Sequence, residues 1–93
     1  MRTVYKYAST LDEVRKLMGL LTFHVPVHSE LVSVREQGDS VCLWFAVDPD
    51  AVREKREFAV VGTGRAAPEK ARPLGSCHFF DGTLILHVFD GAS

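Results

Sequence analysis

Most features that announce a function are scarce in this sequence. Two cysteines among 93 residues cannot supply a disulfide framework or a cysteine-rich metal site. Both lie inside apolar, strand-like runs, where a free thiol behaves as a small hydrophobe, so Cys42 and Cys77 are expected to be reduced and buried. Neither C-x-x-C nor H-E-x-x-H occurs, which removes the commonest zinc patterns. Charge of one sign is lacking too. Eleven basic and twelve acidic residues leave a net charge of −1, and no global field draws the chain to nucleic acid or an acidic membrane. No apolar run approaches the ~20 residues of a membrane span. None follows a basic start as in a secretory signal. A cytoplasmic protein without membrane association is expected.

What the sequence does contain is material for strands. Apolar residues make up 46% and charged residues 25%, with six Phe, two Tyr and one Trp, a composition that suits one globular domain spanning residues 1–93. Thr3–Tyr7 reads as a first strand. Thr10 and Glu13 form the spacing of a capping box, and Leu11, Val14 and Leu17 or Met18 recur at helical intervals. A short helix over 11–18 follows, stopped by Gly19 in a left-handed conformation. Leu20–Val25 reads as a strand closed by Pro26, at a sheet edge or a strand end. Leu31–Glu36 and Val41–Val47 read as a hairpin. Both faces of Ser40–Val47 are apolar, which places that strand centrally. The charged run 51–57 reads as a helical turn or a loop, Glu57–Val61 as a strand and 65–73 as a loop. Asp81-Gly82 is the strongest hairpin dipeptide in the chain. The fold class is mainly β: six or seven largely antiparallel strands in a sandwich or half-open barrel, with one short helix near 11–18. Leu43, Phe45, Val47, Val60, Phe79, Leu84, Leu86 and Val88 are its expected centre.

Gly62-Thr63-Gly64-Arg65-Ala66-Ala67 matches the letters of a dinucleotide fingerprint. That motif needs a helix whose N-terminus faces the pyrophosphate. Pro68 would fall within the helix and remove a backbone donor, and no apolar stripe follows. The glycines are read instead as a strand end, and no cofactor is expected.

A two-residue turn at Asp81-Gly82 sets Ser76, His78, Phe80, Ile85, His87 and Phe89 on one face of the last hairpin. Cys77, Phe79, Leu84, Leu86 and Val88 fall on the opposite, core face. Two histidines among aromatic and aliphatic neighbours admit three readings: a face covered by the helix or a loop, a surface for a partner or a second copy, or a metal site. No third ligand accompanies His78 and His87, and no metal is assigned. Arg53, Lys55, Arg56, Arg65, Lys70 and Arg72 are six of the eleven basic residues. They are read as solvated loops, or as a basic rim for nucleic acid or an anionic small molecule. No serine has a nucleophile-elbow context, and no catalytic residue is assigned.

Tyr5-Lys6-Tyr7, Cys42-Leu43-Trp44 with Val47-Asp48-Pro49, Phe58 through Gly62-Thr63-Gly64, and His87-Val88-Phe89 occur in an order that resembles a family of small uncharacterised proteins encoded by bacteriophages and prophages. Two departures stand out: Arg65 follows G-T-G where that family often has histidine, and the helical segment is longer. The resemblance implies a β-rich fold and a phage or prophage origin. The resulting expectation is a phage accessory protein that acts as an interaction module, with itself or a host protein, through the last hairpin. The alternative is binding of nucleic acid or a small anion by the 53–72 loops.

Overall fold

Alternating apolar residues resolve into seven strands and one helix in the computed structural model, which describes residues 1–91. In chain order these are β1 (Thr3–Thr10), α1 (Leu11–Lys16), β2 (Leu20–Pro26), β3 (Glu30–Gln37), β4 (Ser40–Val47), β5 (Arg53–Gly62), β6 (Arg72–Phe79) and β7 (Leu84–Asp90). Two sheets, β1-β4-β3 and β2-β5-β7-β6, pair their strands antiparallel and pack as a sandwich. β4 is central in its sheet and Pro26 ends an edge strand, as the sequence implies.

The core lies between the sheets. Phe45 and Phe58 are fully buried, with ring centroids 6.0 Å apart, and Tyr7 and Phe23 extend the cluster at 5.5 Å from each other. Edge-to-face and tilted contacts of this kind add about 0.5–1.5 kcal/mol each to what area burial contributes. Of the expected centre, Leu43, Phe45, Val47, Val60, Phe79 and Val88 are buried, whereas Leu84 and Leu86 are only half-buried and pack on its margin. Beside them α1 and Asp39 of the β3–β4 turn border an open apolar cleft of about 520 Å³.

The helix begins as its capping box requires: Glu13 N donates to Thr10 Oγ1 at 3.1 Å, and Thr10 N donates to Glu13 Oε1 at 2.8 Å. Its end differs from the expectation. It stops at Lys16, and Met18 takes the left-handed position with φ 54°, one residue before Gly19 at φ 80°. Gly19 N donates to Val14 O and Met18 N to Arg15 O, the bonding pattern of a Schellman stop. Gly19 is needed for a second reason. Val60 N donates to Gly19 O at 2.7 Å, and a Cβ on Gly19 would collide with Val60 O.

Two further expectations are corrected. Residues 53–56 are neither a helical turn nor a loop, because β5 starts at Arg53 and pairs with β2 through Arg53↔Pro26 and Lys55↔His24. The alternation is hidden because the inward residue there is Arg56. Its guanidinium lies over the Phe45 and Phe58 rings at 5.0 and 5.3 Å and pairs with Asp90 at 3.1 Å. The loop placed at 65–73 is also shorter at its far end, since β6 begins at Arg72.

On one flank the two sheets meet without a shared ladder. Gly75 of β6 lies against Val34 of β3, where an added Cβ would sit 3.2 Å from Val34 Cβ. Nearby, His78 N donates to Glu36 Oε1 at 2.7 Å. A carboxylate on one edge thus satisfies a backbone donor on the other.

Candidate functional site

The last hairpin has the register that the sequence implies, with His78 opposite Ile85 and Ser76 opposite His87. Its turn does not. Strand pairing ends at Phe79↔Leu84, so residues 80–83 form a four-residue loop rather than a two-residue turn. Phe80, Asp81 and Gly82 all have positive φ. Phe80 therefore leaves the face assigned to it and stands 69% exposed at the tip. Turn chemistry at Asp81-Gly82 was legible in the sequence. The left-handed Phe80 was not, because an aromatic residue seldom takes that conformation.

Ser76, His78, Ile85, His87 and Phe89 do share the outward face of the four-stranded sheet. β5 pairs with β7 through Ala59↔Phe89 and Val61↔His87, and with β2 through Leu20↔Ala59 and Glu57↔Thr22. Those registers add Leu20, Thr22, His24, Lys55, Glu57, Ala59 and Val61 to the face. The sequence reading missed them, although Phe58–Val61 is apolar at both parities, the mark of a strand with two apolar sides.

Part of this face is covered. β5 and β6 flank β7, and Gly62 lies opposite Leu86 while Arg72 lies opposite Asp90. Residues 63–71 must therefore cross β7 on its way between them, and the core occupies the inner side. His87, which points outward, marks the crossing: Thr63 Oγ1 lies 2.8 Å from its Nε2 and Ser76 Oγ 2.9 Å from its Nδ1. One imidazole holds the start of this strap on one side and β6 on the other. Hydroxyls occupy both ring nitrogens, so no carboxylate orients this ring as in a nucleophilic triad. His78 and His87 sit at diagonal positions. Among the described residues no group of three or more His, Cys, Asp or Glu is placed to hold a metal ion.

The six basic residues are dispersed. Arg53 and Lys55 lie on β5 at one end of the sheet, and Arg65 and Lys70 lie on the strap. Arg56 is half-buried on aromatic rings, and Arg72 lies 3.9 Å from Asp90. The thiols are free and buried; burial pushes Cys77 up to about 11, with Glu36 adding to the rise, and burial also raises Cys42. A thiol so shifted is a poor nucleophile at neutral pH. The His78 amide holds the Glu36 carboxyl below its ordinary range.

The outer side of the other sheet is different. Arg2 pairs with Glu30 at 2.8 Å, and Lys6 Nζ donates to Gln37 Oε1 at 2.9 Å. Arg2, just before β1, and Lys6 of β1 thus reach β3 across β4, and Cys42, which faces outward between Lys6 and Gln37, is 1% exposed.

These features define a small two-sheet antiparallel β-sandwich whose four-stranded sheet carries a strapped, apolar outer face. The chain belongs to the family described as Domain of unknown function (DUF7352), whose model matches residues 1–93. No curated protein and no solved structure shows significant similarity to it. No helix among the described residues is long and apolar enough to cross a membrane.

Proposed function

We propose that this chain is a protein-interaction module that pairs with a second copy of itself through the outer face of the four-stranded sheet. One observation carries the reading. Leu20, Ala59 and Val61 come together on that face beside the strap, with Ile85 and Phe89 of the crossed strand β7 at the margin. Leu20 is 40% exposed. A polar-rimmed apolar face of this kind is what interfaces present.

The charges favour a second copy over a polyanion. Lys55 and Glu57 stand two residues apart on the outer side of β5, and neither is ion-paired among the described residues. A two-fold axis can set the lysine of one copy against the glutamate of the other, as an isologous interface requires. The order of sequence motifs supports a phage or prophage accessory role for such a module.

Size-exclusion chromatography with light scattering tests the reading. A dimer whose fraction grows with concentration is expected, and Leu20→Asp or Phe89→Asp should return it to monomer while leaving the far-ultraviolet circular dichroism unchanged. A monomer at every concentration, or a dimer indifferent to both substitutions, would falsify it.

A further inference from the structure

Two clefts open at the α1 end of the sandwich, and they differ in the charge left available to a ligand. The larger, beneath α1, contains Arg15, but Asp12 already binds that guanidinium at 2.6 Å. The smaller holds about 390 Å³ and is bounded by Gly62, Thr63 and Arg65 at the start of the strap and by Thr83, Leu84 and Ile85 at the start of β7. None of these residues is acidic. Among the described residues no carboxylate pairs with Arg65.

We propose that this smaller cleft binds an oxyanion, a phosphate ester or a carboxylate, carried on a compact apolar group. Leu84 and Ile85 provide apolar wall for the body of the ligand. Thr63, Thr83 and Arg65 provide donors for its charge, the division found in small-molecule sites. The volume admits a ligand of one ring. Arg65 presents a planar fork of donors suited to two oxygens of one anion.

His87 decides what Thr63 offers. When Nε2 carries the proton, it donates to Thr63 Oγ1 at 2.8 Å. The Thr63 hydroxyl hydrogen is then free to donate to a ligand oxygen. In the same tautomer Nδ1 accepts from Ser76 Oγ at 2.9 Å. The chain of donors thus runs from Ser76 through His87 and Thr63 to the anion, every link satisfied. In the opposite tautomer the Thr63 hydrogen is spent on the ring, and only a lone pair faces outward. An anion selects the first arrangement. His87 is therefore a positioning residue, and Thr63 and Arg65 are the groups that touch the ligand.

Amide NMR of isotope-labelled protein, titrated separately with phenyl phosphate, benzoate and benzyl alcohol, tests the site. Saturable shifts at Thr63, Arg65, Thr83 and Ile85 are expected with at least one of the two anions and not with the neutral alcohol. The tighter anion identifies the ligand as phosphate ester or carboxylate. Arg65→Gln and Thr63→Val should each weaken that anion roughly tenfold or more, the loss of one charge-assisted or oriented hydrogen bond, with Arg65→Lys retaining part of the affinity. Imidazole nitrogen shifts should show His87 with its proton on Nε2 at saturation. Failure of both anions to saturate, an equal response to the alcohol, undiminished affinity in both Arg65→Gln and Thr63→Val, or an unprotonated Nε2 in the bound state would each overturn the proposal. Self-association is not needed for any of these readings.

Discussion

The two sheets each turn an outer face away from the core, and they cover it by different means. On β1-β4-β3, side chains of the flanking strands reach across the central strand and meet as Arg2–Glu30 and Lys6–Gln37. Each bridge is short, local to one sheet and exposed, worth at most about 1 kcal/mol. On β2-β5-β7-β6, backbone does the covering. Residues 63–71 cross β7, held near their start by a single imidazole between two hydroxyls. The first covering is two weak side-chain ties on separate pairs. The second is one segment whose side-chain hydrogen bond to the sheet, among the described residues, is made at His87.

That contrast can be broken at its strongest point first. His87→Ala removes both hydroxyl contacts at once, at about 0.5–1.5 kcal/mol each. Limited trypsin digestion should then cut after Arg65 and Lys70 roughly tenfold faster or more. Lys6→Ala on the other sheet should leave that cleavage rate unchanged. Equal acceleration by both changes would mean that the strap is held by global stability and not by the histidine.

A smaller effect sharpens the difference in charge between the faces. Lys55→Glu places two carboxylates against two others across the proposed two-fold axis and should weaken dimerisation roughly tenfold. Adding Glu57→Lys restores opposite signs and should recover most of that loss in sedimentation equilibrium. Recovery that fails, with both variants folded, removes the two-fold arrangement.

The smallest effect concerns the flank that joins the faces. Glu36 has its carboxyl lowered by the His78 amide. Its contribution is therefore fully present above the unfolded glutamate value near ~4.3 and disappears as pH falls through the lower folded value. Urea midpoints of the wild type and Glu36→Gln, measured at neutral and strongly acidic pH, should converge in acid. Curves that stay parallel across the range would show that ionisation of Glu36 adds nothing.

How far the sequence could be read follows from the same physics. Apolar residues on both faces marked Ser40–Val47 as a central strand, and the turn chemistry of Asp81-Gly82 set the register of the last hairpin, where a one-residue slip would have moved Cys77 and Val88 out of the core. Capping chemistry marked the helix start. The beginning of β5 was illegible because Arg56 takes an inward position on the strength of the Phe45 and Phe58 rings and Asp90, and Phe45 and Asp90 are distant from it in sequence. The strap was illegible for a related reason. The loop was read over 65–73, two residues into β6, and its path over β7 depends on β7 inserting between β5 and β6. Hence His87 was visible as an outward histidine, while its bond to Thr63 and the cleft beside it were not. Arg65 emerged from a diffuse basic set only once the structure had separated it from Arg56 and Arg72.

The abutment of Gly75 on Val34, with Glu36 closing on His78, has an effect on growth. Strand-by-strand extension of either sheet has one flank already stopped, since β3 and β6 block each other there. New strands can add only at β1 or at β2, where Pro26 offers no backbone donor. Edge-to-edge growth is thus confined to one side of the sandwich, where a slab open on both sides could extend in either direction.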